Sequence, residues 1–325
     1  VANICQCQAL PVKDLTADDT LIAVLPFFHI YGMTILMNLA LCEGTTVVTM
    51  PRFDIEQFLQ IMQDYRVTFA YLVPPIVLAL AKHPSVDKYD LSKLRALNSG
   101  AAPLGEDLAH ACAARLGCLI KQGYGLTETS PVTHTNPLIR EQIKIASVGP
   151  CIPNTECKVV DVASGAALGP NQPGEIWVRG PQVMLGYLNR PDATAAMIDA
   201  EGWPRTGDIG YADADGYFYI VDRIKELIKY KGYQVAPAEL EAVLLAHPAI
   251  ADAAVIPSAD EEAGEVPKAY VVRRGAVSTD EVIAFVAERV APYKKVRAVE
   301  FIEQIPKSAS GKLLRRVLIE RERAR

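Results

Sequence analysis

The sequence predicts an α/β protein, with helices layered on a parallel sheet, followed by a β-rich subdomain and a small α+β domain. Three observations carry this. Residues 21 to 82 alternate short apolar strand-like runs with helix-like segments, the pattern of α/β layers. From Gly149 to Tyr219 the chain changes to short β-rich runs separated by Gly and Pro, as in a sandwich or barrel. From Ile224 onward, helix signals return among strands. The chain accordingly divides into 1–223, α/β to around 148 and β-rich thereafter, and 224–325.

The elements follow in order. Leu21 to Leu25 and Thr45 to Thr49 read as buried strands, and Ile55 to Tyr65 carries apolar residues at helical spacing. Leu94 to Gly100 is a strand running into a small-residue turn, with a helix from Pro103 to Leu116. Cys157 to Asp161 and Gly174 to Arg179 are strands of the β-rich part. In the last part, Pro237 ahead of Glu239-Leu240-Glu241 starts one helix, and the capping box Ser278-Thr279-Asp280-Glu281 starts another.

Half of the 325 residues are apolar, and the net charge is −5, which argues against a general nucleic-acid or membrane-surface binder. Basic residues cluster locally at Lys225, Lys229 and Lys231 and at Lys294, Lys295 and Arg297, which suits a small anionic ligand. The apolar stretch Leu21 to Leu41 is broken by Pro26, His29, Gly32 and Asn38, so no membrane span is expected. The seven cysteines include no C-x-x-C pair and are expected to be mostly buried free thiols of a cytoplasmic protein. His83, His110, His134 and His247 stand in no motif and are expected at the surface or at caps.

Four segments carry chemistry: Asn98-Ser99-Gly100-Ala101-Ala102-Pro103, Gly123-Tyr124-Gly125-Leu126-Thr127-Glu128, Trp203-Pro204-Arg205-Thr206-Gly207-Asp208, and Asp222 to Pro237. The first two place small residues at strand ends, where adenine would lie on backbone with Tyr124 stacked on its face. Thr127 would donate to a phosphate oxygen, and Glu128 is a hard oxygen ligand for Mg²⁺. The Asp208 carboxylate would accept two ribose hydroxyls.

In this order, and with Pro306-Lys307-Ser308-Ala309-Ser310-Gly311-Lys312 near the end, the set resembles the acyl-activating (adenylate-forming) superfamily. Within it, the set is similar to the 4-coumarate:CoA ligase-like acyl-CoA synthetases. The resemblance implies the C-terminal part of the family's large adenylation domain followed by its small mobile domain. It also implies an ATP-dependent carboxylate:CoA ligase that acts through an acyl-adenylate, with ATP, Mg²⁺ and coenzyme A as substrates and activating metal. Val1 to Gln6 resembles the helix just after the family's phosphate loop, so that loop is expected in a preceding segment, in cis or in trans.

The resemblance assigns further roles. Arg223 matches a ribose or phosphate contact, and Lys225 the hinge. Lys312 matches the lysine that bridges carboxylate and α-phosphate. Lys229 to Gln234 match the thioester-forming face, with Lys229, Lys231, Gly232 and Tyr233 toward CoA and Gln234 orienting the incoming group. His29 would gate the thiol or assist its deprotonation. Phe28, Tyr31, Gly100, Gly125, Pro131 and Val132 would line the acyl pocket. Such a wall suits 4-coumarate or a related aromatic acid, and also admits a benzoate or a medium-chain fatty acid. A luciferase-like or carrier-loading enzyme, and a fragment that only binds nucleotide, stay open as alternatives.

Overall fold

Two compact units make up the chain: Val1–Thr206 with Gly210–Ile220, and Gly207–Ile209 with Val221–Arg325. The computed structural model describes residues 1–11, 13–308 and 311–323. Ser310 of the C-terminal motif lies outside the described residues.

The first unit opens with helix α1 (Ala2–Gln8), strand β1 (Thr20–Ala23) and the π-helical stretch Gly32–Leu39, which runs into α2 (Ala40–Glu43). There follow β2 (Thr46–Thr49), α3 (Ile55–Asp64), β3 (Phe69–Leu72), α4 (Pro74–Lys82), β4 (Ala96–Ser99), α5 (Glu106–Leu116), β5 (Leu119–Gly125) and β6 (Val132–Thr135). Helix α3 shows how sequence sets these elements. Asp54 caps it by accepting from the Gln57 amide at 2.9 Å. Phe58, Leu59 and Met62 fall on one face and are buried, while Glu56, Gln57 and Gln60 face solvent. In α4 the two prolines sit in the first turn, where a missing N–H costs nothing.

The strands form one sheet in the order β2-β1-β3-β4-β5-β6. The first five are mutually parallel, and β6 pairs antiparallel to β5. Leu21, Ile22, Phe69, Leu72, Leu97 and Ile120 are buried in it, as expected for strands covered on both faces.

The β-rich part holds β7 (Glu156–Val160), β8 (Gly174–Arg179), α6 (Pro191–Met197), β9 (Arg205–Ala212) and β10 (Phe218–Arg223). It is a single four-stranded sheet in the order β10-β9-β8-β7. Alternate residues of β8 point inward, Ile176 and Val178 among them, the period-two pattern of a half-buried strand.

In the second unit, β11 (Ile228–Tyr230) and β12 (Tyr233–Val235) form a hairpin, followed by α7 (Pro237–Ala246), β13 (Ile250–Asp260), β14 (Gly264–Arg273), α8 (Thr279–Ala287), β15 (Ala298–Phe301) and α9 (Arg315–Arg323). Its sheet order is β12-β11-β14-β13, with β15 parallel to β14. The capping box read from sequence is formed, since Ser278 accepts from the Glu281 amide and Glu281 from the Ser278 amide. Asp208, expected in the first domain, groups with the second unit. No helix among the described residues is long and apolar enough to cross a membrane.

Candidate active site

The candidate residues fall in both units, and each group has its own geometry. In the first unit, parallel pairing sets Asn98 opposite Lys121 and Ser99 opposite Gln122. The Gly100-Ala101-Ala102 turn after β4 and the Gly123-Tyr124-Gly125 end of β5 therefore lie on one edge of the sheet. That edge is the carboxyl end of the parallel strands β4 and β5, the side on which open α/β sheets bind ligands. Ala101 takes the left-handed conformation, at φ +71°, which is uncommon for a residue with a Cβ.

Two polar atoms at the end of β4, Asn98 Oδ1 and Ser99 Oγ, are buried and have no hydrogen-bond partner among the described residues. An orphaned buried group costs about 1–3 kcal/mol, so two together mark a position that a bound molecule completes. The other side of Asn98 is engaged, its Nδ2 donating to the Tyr31 hydroxyl at 3.1 Å. Tyr31 is buried and packs edge-on to Tyr71. A Cβ on Gly100 would lie 3.1 Å from the Tyr31 ring, so these two acyl-wall candidates touch. Phe28 is the contrast, 80% exposed.

Glycine at 125 is obligatory, because a Cβ there would lie 1.8 Å from the Pro131 carbonyl oxygen. This contact brings Gly125, Pro131 and Val132 together. The intervening Thr127–Thr129 turn is held by the Thr129 hydroxyl, which accepts from the Leu126 amide at 3.0 Å and lies 2.6 Å from the Pro131 carbonyl. It leaves Thr127 exposed and Glu128 half-buried. The Tyr187 hydroxyl donates to Glu128 Oε1 at 2.7 Å. Burial first, and then the Glu128 carboxylate, push the Tyr187 phenol up to about 12, so it stays a donor at neutral pH. A carboxylate oriented through one oxygen suits Mg²⁺, which is commonly held by one or two carboxylates with phosphates and water.

His29 accepts the Tyr31 amide on Nδ1 at 3.2 Å. The neutral ring then carries its proton on Nε2, a tautomer that gates or donates at Nε2 more readily than it takes a proton there.

In the second unit, Asp208 is buried and its Oδ1 lies 3.5 Å from Arg223 Nε, whose side chain is half-exposed. The neighbouring Asp222 accepts from the Arg223 and Ala238 amides, which ties the end of β10 to the start of α7. Lys225 follows on the surface. The β11–β12 hairpin turns through Lys231 and Gly232, both at positive φ, as a two-residue type I′ turn requires. Its register puts Lys229 opposite Gln234, so both exposed side chains share one face. Tyr233 stacks on Tyr293 at 4.6 Å, and Lys231 pairs with Glu262. The Lys312 amide donates to Ser308 Oγ at 3.1 Å and its carbonyl accepts the Ser308 amide at 2.8 Å. Arg315 at the start of α9 pairs with Glu226 and Glu241, so the segment just after Lys312 is pinned beside the residue that follows Lys225.

Residues 1–188 match the AMP-binding enzyme family, and residues 239–312 match the AMP-binding enzyme C-terminal domain. The chain belongs to the AMP-binding enzyme family. Among its relatives, 4-coumarate–CoA ligase 2 of Oryza sativa subsp. japonica is 51% identical over 314 residues, covering 95% of this chain and 55% of that protein. Among solved structures, ATP-bound MatB from Rhodopseudomonas palustris superposes with a TM-score of 0.86 at 31% identity, over 94% of this chain and 60% of that one. The o-succinylbenzoate CoA synthetase (MenE) of Bacillus subtilis, in complex with the acyl-adenylate intermediate OSB-AMP, gives 0.83 at 32% identity, over 97% and 63%. The chain spans little more than half the length of these relatives.

Several residues of this AMP-binding fold gave no sequence signal. Gln122 clamps the loop after β4, its Oε1 accepting the Leu104 amide and its Nε2 donating to the Leu104 and Ile145 carbonyls. Tyr187 holds Glu128 across 59 residues of chain. His83 caps the turn after α4, His110 is exposed and His247 accepts the Ala249 amide, all as expected. His134, expected at the surface or a cap, is instead fully buried. It sits on β6 opposite Tyr124, where the antiparallel pairing turns its ring into the interior.

Proposed function

We propose that the protein is an ATP-dependent carboxylate:CoA ligase acting on 4-coumarate or a related aromatic acid. The observation that carries this is the strand-end edge where two glycine turns meet two orphaned buried oxygens, in a chain about half identical to 4-coumarate–CoA ligases.

In the first step a carboxylate oxygen attacks the α-phosphorus of ATP and the bond to pyrophosphate breaks. Tyr124 and the 99–102 turn hold the adenine, Asp208 and Arg223 the ribose, and Thr127 a phosphate oxygen. Glu128 would hold Mg²⁺, which would supply neutralisation of the phosphate charge. The Lys312 ammonium bridges carboxylate and α-phosphate, stabilising charge that develops in the transition state. In the second step the CoA sulfur attacks the acyl carbonyl carbon and AMP leaves. The Lys229–Gln234 hairpin serves this step, with Lys225 as pivot of the 224–325 domain and His29 as gate for the thiol. Tyr31, Gly100, Gly125, Pro131 and Val132 form the acyl wall, with Phe28 at its exposed side. Seven free cysteines fit a reducing cytosol.

ATP–pyrophosphate exchange with 4-coumarate tests the reading. Lys312→Ala should lower exchange about 100- to 1,000-fold while leaving thioester formation from preformed coumaroyl-adenylate within a few-fold. Exchange that survives the substitution, or a preference for a medium-chain fatty acid, would overturn the lysine's role or the substrate class respectively.

A further inference from the structure

We propose that His134, Cys151 and Cys157 form a zinc site in the first unit, on the inner side of Tyr124 and using none of the proposed ligase residues as ligands. His134 Nε2 and the two sulfurs all lie within 4.8 Å of one another, and Nε2 to Cys151 Sγ is 3.3 Å. Zinc bonds of about 2.3 Å to sulfur and 2.0 Å to nitrogen place tetrahedral ligands roughly 3.5–3.8 Å apart. The nitrogen–sulfur edge is therefore nearly formed, and the remaining ones need a contraction of about 1 Å or less.

Backbone pairing builds the cluster. His134 forms an antiparallel bridge with Cys151, and the Ile152 amide donates to the Thr133 carbonyl at 2.9 Å, so residues 150–152 run beside β6. A turn through Asn154, at φ +60°, then returns the chain along β7 with Cys157 near its start.

The bonds of Thr133 suit the ligating tautomer of the imidazole. Its hydroxyl donates to the Tyr124 carbonyl at 3.2 Å and lies 2.9 Å from His134 Nδ1. With the ring proton on Nδ1 the Thr133 oxygen accepts it, and the Nε2 lone pair faces Cys151. Zinc-binding histidines are oriented by such a bond from their other nitrogen. The ring is further fixed between Tyr124 and Phe218, at 5.8 and 4.4 Å.

Two sulfurs and one imidazole select against Mg²⁺ and Ca²⁺, which take oxygen. Charge selects between the softer ions. Zn²⁺ with two thiolates and a neutral imidazole has no net charge, whereas Cu⁺ would leave a negative charge in the interior. On binding, each cysteine gives its thiol proton to solvent, a water takes the fourth position, and no electron is transferred.

The test uses the reduced, chelator-treated 325-residue chain, titrated with Co²⁺ and then Zn²⁺. One equivalent of Co²⁺ should give sulfur-to-cobalt charge-transfer absorption and visible bands of tetrahedral intensity, both displaced by Zn²⁺. Cys151→Ser and Cys157→Ser, near-isosteric, should each abolish the charge-transfer signature or weaken binding at least 100-fold. Thr133→Val, which keeps all three ligands, should weaken it about 10- to 100-fold. Cys5→Ser and Cys42→Ser, at exposed thiols, should leave it unchanged. The proposal is overturned if reduced protein shows no thiolate–cobalt band, if the band survives Cys151→Ser or Cys157→Ser, or if air simply joins the two cysteines while reduced protein takes up no metal.

Discussion

Replacing Lys121 by Met tests how β5 is held in register for the glycine turn that ends it. The Lys121 ammonium is fully buried and donates to Asp14 Oδ1 at 2.6 Å, the Asn136 carbonyl at 2.8 Å and Thr135 Oγ1 at 3.1 Å. All three of its protons are used. Methionine fills the space and removes the charge, leaving the Asp14 carboxylate in the core with the Tyr71 hydroxyl, at 3.1 Å, as its side-chain partner among the described residues. Breaking one side of a buried ion pair costs about 3–5 kcal/mol. In a unit of this size each kcal/mol is worth about 2–4 °C, so the first unit should melt roughly 10 °C lower, within a range of about 6–20 °C.

Tryptophan fluorescence isolates that transition, because Trp177 and Trp203 both lie in the first unit. Adding Asp14→Asn to Lys121→Met removes the stranded charge and should recover half or more of the loss, since two neutral partners escape the penalty of an unpaired ion. A single variant melting within about 2 °C of the parent would show that Asp14 is resolvated at little cost. A double variant as unstable as the single would assign the loss to the Thr135 and Asn136 acceptors and to packing.

Other substitutions probe the site directly. Gly125→Ala drives a Cβ into the Pro131 carbonyl, while Gly100→Ala meets only the Tyr31 ring edge at 3.1 Å; binding of a fluorescent AMP analogue should fall more than about 10-fold in the first and less than about 3-fold in the second. Tyr187→Phe removes the donor that orients Glu128 and should raise the Mg²⁺ concentration needed for half-maximal pyrophosphate exchange about 10-fold; an unchanged requirement would separate Glu128 from the metal. In the second unit, burial pushes the Glu241 carboxyl up from 4.5 to about 7 against the pull of Arg315. Between those values the folded state binds protons that the unfolded state releases, so stability falls as pH rises, by about 1–3 kcal/mol. Hydrogen exchange of β13 and β14 amides should show this slope in the parent and a flatter one in Glu241→Gln.

The sequence made local signals plain and long-range ones opaque. Ser278 with Glu281, and Pro237 at the start of α7, act on their own helix within four residues, so their chemistry is written in the spacing. The strand-end turns were legible for the same reason, since glycine and small residues break an apolar run. Lys121 looked like one lysine in a strand, and only folding brings Asp14, 107 positions away, onto its ammonium. The zinc cluster was hidden likewise. His134, Cys151 and Cys157 match no metal-binding spacing, and what joins them is the register of β6 against residues 150–152. Spacing rules encode helices and tight turns; a site built across strands is encoded in pairing, which a single sequence does not display.

The polar residues of β4 and β5 differ in how far they are satisfied, in a way that bears on function. Lys121 and Gln122 lie inside the sheet with bonds to Asp14, Thr135, Asn136, Leu104 and Ile145. Directly opposite them on β4, Asn98 Oδ1 and Ser99 Oγ have no partner among the described residues and are likewise buried. A fold that satisfies a lysine completely in its interior does not leave two oxygens orphaned for want of donors nearby. At about 1–3 kcal/mol each, the pair costs a sizeable fraction of a domain's net stability. That cost is sustainable where a ligand supplies the missing bonds, and these atoms lie at the sheet edge beside Gly123, whose added Cβ would come within 3.6 Å of Asn98 Oδ1. The close approach that this glycine permits and the unmet bonding capacity beside it fall together at this strand end, where a ligand carrying hydrogen-bond donors would complete both oxygens.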